Sequence, residues 1–288
     1  VHEAGLKVVF TGEGADEMLG GYPPFRRDAI MHHGDRTEEE RAALIEEMFA
    51  ANAATRAVFM RMGQDDPAFK GVLGRLGWLP SVIETYGHLG RIVTSMYADD
   101  LNAKMVSTNP FGGVLDRMPL SSAVTGRDRL NQALYINSKT HLANFILTFL
   151  GDRMEMAHSI EGRVPFLDHS VAEFAAGLPI DMKVRGIREK HVLREAAKDV
   201  LIEEVYDKGK HAFTAPPVTN DDKDPMMTLY EDVLSSKAVD EQSIFDPNRA
   251  RSALGILKAV DGDQRIAFEG LIQRIVSVTL MQERFGMS

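Results

Sequence analysis

The segment KVVFTGEGADEMLGGY, Lys7 to Tyr22, constrains this chain more than any other. Its first four residues form a short, unalternating apolar run, the pattern of a strand covered on both faces in a parallel α/β sheet. The run opens at once into a loop carrying Gly12, Gly14, Gly20 and Gly21 beside Glu13, Asp16 and Glu17. Glycines let backbone N–H groups approach a ligand closely, and neighbouring carboxylates repel one another unless positive charge lies among them. In parallel sheets ligands bind beyond the carboxyl ends of the strands, where Thr11 to Glu17 would lie. The loop is expected to hold a charged ligand.

The bulk properties allow this. At 288 residues with 44% apolar and 26% charged residues, the chain has ordinary globular composition and can bury a core. Its net charge of −9, with the acids scattered, argues against a nucleic-acid partner. The absence of cysteine excludes disulfides, cysteine-ligated metals and a cysteine nucleophile within the chain, and fits a reducing cytoplasm. No apolar run reaches membrane-spanning length, so no membrane partner is expected. The opening VHEAG reads as a helix's last turn with Gly5 as its left-handed cap, so the sequence is expected to be the C-terminal part of a longer protein.

Beyond Tyr22 the pattern becomes helical. Thr37 and Glu40 form a capping box ahead of a segment that places Ile45, Met48, Phe49, Phe59 and Met62 on one face. Pro80 can open a helix with Ile83, Tyr86, Val93, Met96 and Tyr97 inward. Another from about Arg127 runs through Leu130, Leu134, Leu142, Phe145 and Phe149, with PFGGVLDRMP as a loop between the two. Later helices are read around Val171 to Ala176, Val192 to Leu201, and from Pro247 to Phe285 with a break at DGD. TAPPVTNDDKDP reads as a mobile connection or lid.

Two stretches mix charge with apolar residues. LGDRMEMAHSIEGRVPFLDH gathers Asp152, Arg153, Glu155, Glu161, Arg163 and Asp168, for which structural ion pairs are the natural outcome. DKGKHAF brings Lys208 and Lys210 onto a glycine-containing loop, a solvated surface turn by sequence alone. His158 and His169 have no partner at ligand spacing and read as surface or hydrogen-bonded histidines.

TGEGADEMLGGY, DRMEMAHSIEGRVPFLDH, EKHVLREA and KGKHAF, in this order, resemble the synthetase domain of glutamine-hydrolysing asparagine synthetases. The resemblance implies an ATP-pyrophosphatase-type (adenine nucleotide alpha hydrolase-like) parallel sheet with a large, mostly helical remainder. It divides residues 1–288 into a strand and nucleotide loop (1–22), a helical region (23–126), the synthetase motifs (127–217) and a helical tail (218–288). It implies ATP and Mg²⁺, and a carboxylate such as aspartate or an analogue that attacks the α-phosphate of ATP. Ammonia, derived from glutamine by a glutaminase domain absent from this chain, then displaces AMP. Carried over by position, Thr11, Gly12 and Gly14 belong to the nucleotide site, Glu13 is a catalytic carboxylate, Asp16 a magnesium-binding acid, and Lys210 a cation facing the phosphates. Lys190 matches a family lysine, although an exposed helix lysine would look the same. Asp152, Arg153, Glu161 and Arg163 would order the site. Mg²⁺ and Lys210 would then be the positive charges among the loop acids.

The sequence also departs from the family. The pyrophosphate-gripping SGGxDS loop is absent, Thr11 replaces a usual serine, Leu142 to Phe145 stand where relatives often read LPDD, and Lys208 where arginine is common. Other readings therefore stay open: an amide ligase or cyclase of a peptide or natural-product pathway using another amine, or a catalytically silent interaction module. The chain alone is expected to be inactive, and a homodimer remains an open assembly.

Overall fold

In the computed structural model, which describes residues 1–51, 67–108, 110–209, 218–219, 224–260 and 262–287, the expected strand finds a distant partner. β1 (Val8–Phe10) lies parallel to β2 (Glu161–Arg163), with Val8 opposite Glu161, Val9 opposite Gly162 and Phe10 opposite Arg163. The backbone N–H of Glu161 donates to the Lys7 carbonyl at 2.7 Å, and that of Thr11 to the Arg163 carbonyl at 2.9 Å. Glu155 braces β2 by accepting the Gly162 N–H at 2.8 Å. A side chain at 162 would collide with that carboxylate, which explains a glycine inside the strand.

β1 is not covered on both faces as its pattern predicts, because Val8 is 39% and Phe10 71% exposed. Among the described residues the parallel sheet consists of these two strands alone, which supply no further layer to cover them. A second pair, β3 (Val184–Arg185) and β4 (Arg188–Glu189), is an antiparallel hairpin turning at Gly186 with φ +60°.

The remainder is mostly helical. Gly5 closes the opening turn His2–Ala4 in the left-handed region as expected. Thr37 and Glu40 form both bonds of the capping box on the helix Glu38–Ala50, which buries Ile45 and Met48; Phe59 and Met62 lie outside the described residues. A helix Ser81–Thr94 follows Pro80. The helix Arg129–Asn137 continues as a π-helix, Ser138–Asp152. Leu130, Leu134 and Leu142 are buried, but Phe145 and Phe149 are 43% and 45% exposed. The wider i→i+5 turn rotates these later positions off the face an α-helix would keep. PFGGVLDRMP is not all loop: Pro110 opens a helix, Pro110–Leu115, that packs on the helix Lys70–Leu76. Burial of Leu115 and the Phe111 ring beside Phe69 offset the glycines' helix cost. The helix at His191–Ala197 ends before Leu201, whereas Pro247–Ala259 and Gly262–Phe285 flank the expected break.

The chain forms two units. One comprises Val1–Thr55, Trp78–Ile83 and Asp116–His211; the other comprises Arg56–Gly77, Glu84–Leu115 and Ala212–Ser288. The second unit has an apolar helical core centred on Met227, Tyr230, Leu234, Leu257, Ile272 and Ile275. Of the stretch expected to be mobile, Val218 and Thr219 are instead fixed. Glu269 accepts both their N–H groups at 2.8 and 2.9 Å, and buried Arg265 donates to the Thr219 carbonyl at 2.9 Å. No helix among the described residues is long and apolar enough to cross a membrane.

Candidate active site

The loop after β1 is built by its glycines and by what packs against them. Gly14 takes φ +92° to start the helix Ala15–Leu19, and a Cβ there would lie 2.3 Å from Leu167. The VPFLD motif thus backs the loop, and Asp168 caps the helix His169–Gly177 by accepting from the Ser170 N–H at 2.9 Å. A Cβ at Gly21 would sit 1.8 Å from Asp16 Oδ1, so that glycine makes room for the acid. At Gly12 a Cβ would meet nothing within 4 Å, so this glycine faces open space.

The three acids have different fates. Glu17 is buried and accepts the Tyr22 hydroxyl at 2.7 Å; burial pushes its carboxyl up, against the lowering effect of that hydrogen bond. It serves the fold. Asp16 Oδ1 pairs with Lys190 Nζ at 2.9 Å, with side chains 15% and 20% exposed. Glu13 Oε2 and the Thr11 hydroxyl are buried, and neither has a hydrogen-bond partner among the described residues. A buried polar atom without a partner costs about 1–3 kcal/mol, so this pair is the loop's least satisfied feature.

Behind Asp16 lies an ion-pair node absent from the sequence reading. Glu189 is 3% exposed and accepts from Arg26 Nη1 at 3.3 Å and Arg194 Nη2 at 2.5 Å. Arg194 also donates to the carbonyls of Tyr206 at 2.7 Å and Lys208 at 3.0 Å. Burial lowers the Arg26 pKa while Glu189 and Asp16 hold it up. Lys190 follows Glu189 directly and sits at φ +51°, a region uncommon for a non-glycine residue. Among the described residues, Lys190 places a positive charge directly on the loop acid Asp16. The sequence could have hinted at the node only through an arginine on the otherwise apolar face of PPFRRDAI.

The remaining candidates divide. Lys210 lies outside the described residues. Asp152 and Arg153 are exposed, and Glu161 and Arg163 form a 2.8 Å pair on β2 with both side chains 56% exposed. Of this cluster, the brace on β2 comes from Glu155.

The residues fit a nucleotide: an open glycine, an orphaned hydroxyl and an orphaned carboxylate lie on one loop at the carboxyl end of a parallel strand. No group of three metal-ligating side chains stands among the described residues. One carboxylate is nonetheless how Mg²⁺ is often held when phosphates and water supply its other ligands.

Over residues 1–281 the sequence matches the asparagine synthase family, and the chain belongs to it. It is 30% identical over 231 residues to the protein named Amidase chry2 of Gibberella zeae, covering 75% of this chain and 33% of that protein. It is 29% identical over 240 residues to Amidase chyE of Penicillium rubens, with the same two coverages. Asparagine synthetase [glutamine-hydrolyzing] 3 of Bacillus subtilis is 27% identical over 207 residues, covering 72% of this chain and 26% of the synthetase. The chain thus spans about a third or less of the length of these relatives.

Proposed function

We propose that this chain is the synthetase part of a ligase of the ATP-pyrophosphatase fold type, which activates a carboxylate with ATP and converts it to an amide. The observation that carries this reading is the pair of buried, unpartnered atoms, Thr11 Oγ1 and Glu13 Oε2, on the open-glycine loop. Thr11 through its hydroxyl and Gly12 through its backbone N–H orient the nucleotide's phosphates. A carboxylate oxygen of aspartate or a related acid attacks the α-phosphorus, and the bond to pyrophosphate breaks. Asp16 would hold Mg²⁺, which would supply positive charge to the departing pyrophosphate. Lys210 adds charge stabilisation as negative charge builds on the reacting phosphate. Ammonia then attacks the acyl carbon, the bond to AMP breaks, and Glu13 Oε2 takes a proton from the nitrogen.

The amidase names of the two fungal relatives favour a second reading in which the acceptor is not aspartate or the amine is not ammonia. The test is exchange of labelled pyrophosphate into ATP by the gene product that carries this chain, across a panel of carboxylic acids, followed by mass spectrometry of products with ammonia or other amines. Acid-dependent exchange and an amide product are expected. Acid-independent release of ADP would overturn the ligase reading.

A further inference from the structure

We infer that Lys190 is a resident counter-ion on Asp16, which a divalent metal must displace before it can bind the loop. The inference rests on the proposed role of Asp16. Its grounds are the 2.9 Å ion pair and the way the chain secures it. Both side chains are mostly buried, so the pair is weakly screened and stronger than a surface one. Lys190 reaches Asp16 from a left-handed backbone, a conformation that persists only where the surroundings over-determine it. Those surroundings are visible in the preceding residue. The Glu189 carboxylate is gripped by Arg26 and Arg194, and Arg194 Nε also donates to the Glu189 carbonyl at 3.1 Å.

This arrangement has a consequence for the metal. A hard cation prefers a full carboxylate charge, and Asp16 offers one already half-neutralised by an ammonium. Metal alone therefore binds poorly. When the cation arrives with a triphosphate, the released ammonium has a phosphate oxygen to turn to, and the exchange conserves the number of charge pairs. Lys190 is thus a positioning residue that couples metal entry to nucleotide entry. Its role differs from a structural bridge, in which Asp16 and Lys190 would stay joined throughout.

The test uses Mn²⁺ as a spin probe, titrated without nucleotide into the 288-residue chain and read by electron paramagnetic resonance of the free ion. Lys190→Gln is expected to bind Mn²⁺ about tenfold tighter than the wild type, the effect one neighbouring charge has on a carboxylate's affinity for a proton. Lys190→Arg, which keeps the charge and checks that position 190 tolerates change, should bind no tighter than the wild type. The gain should vanish in Lys190→Gln/Asp16→Asn, showing that it acts through Asp16. If Lys190→Gln binds no tighter while Asp16→Asn binds more weakly, the exchange is wrong and Asp16 keeps its proposed metal role. If the gain of Lys190→Gln persists in Lys190→Gln/Asp16→Asn, the metal role of Asp16 falls and the exchange with it.

Discussion

The helical core of the second unit and the glycine loop of the first use buried space in opposite ways. Around Ile272 the packing is apolar and continuous: Met227, Leu257, Ile272 and Ile275 are each fully buried, and Asp224 and Asp246 cap the helices Pro225–Ser235 and Pro247–Ala259. Around Asp16 the buried groups are a carboxylate between two guanidiniums, a lysine on a left-handed backbone and two orphaned oxygens. The first arrangement gains free energy from every contact. The second keeps polar groups from water without full compensation, a cost that folding alone does not require. Regions of this second kind are where ligands complete the hydrogen bonding.

The contrast can be broken most severely in the helical core. Ile272→Ala should cost about 2–5 kcal/mol in urea unfolding, through lost transfer energy and the cavity left behind. A cost under about 1 kcal/mol would show that the cluster collapses around the gap and is no rigid counterpart to the loop. A change at the loop should behave in reverse. Glu13→Gln is expected to lower amide formation by about 10²-fold or more while leaving the urea midpoint in place, since the Oε2 atom has no described partner to lose. Equal damage to pyrophosphate exchange and amide formation would move Glu13 from the second chemical step to the first.

The smallest effect sharpens the comparison, because a buried charge also lies away from the loop. Lys183 is 1% exposed with its ammonium on Asn131 Oδ1 at 2.7 Å, and burial, with Arg127, lowers its pKa to about 8 against a rise from Asp128. The unfolded chain holds that proton up to the ordinary value of 10.5, so between about 8 and 10.5 the unfolded state binds more protons and stability rises with pH. Below pH 8 the penalty is fully present. Lys183→Met should raise stability at pH 7 by on the order of 1 kcal/mol and flatten the rise between pH 8 and 10. Unfolding curves across that range decide it; an unchanged slope would mean that Lys183 is not its source.

Much of the fold was legible because its signals are local. The capping box at Thr37, the cap at Gly5 and the strand-to-loop transition at Phe10 each lie within a few residues of sequence, where backbone sterics and hydrogen bonding decide the outcome. β2 was not legible: Glu-Gly-Arg has no apolar periodicity, and its pairing with β1 is set across the chain. The same holds for the charges. The family resemblance marked Asp16 and Lys190 separately, but 174 residues separate them and only the fold joins them. Phe145 and Phe149 lie off the buried face because their segment winds as a π-helix, a period that the apolar spacing does not reveal.

The exposed strand β1 governs how this chain must be handled in solution. Among the described residues β1 pairs with β2 alone, and a strand with apolar side chains toward water is a template for another strand. Copies of the chain are held apart by a net charge of −9, a long-range repulsion that added salt screens within about 10 Å at 0.1 M. Salt leaves the apolar edge of Val8 and Phe10 untouched. Raising the ionic strength therefore weakens the repulsion between copies and leaves the exposed apolar side chains of β1 as they are.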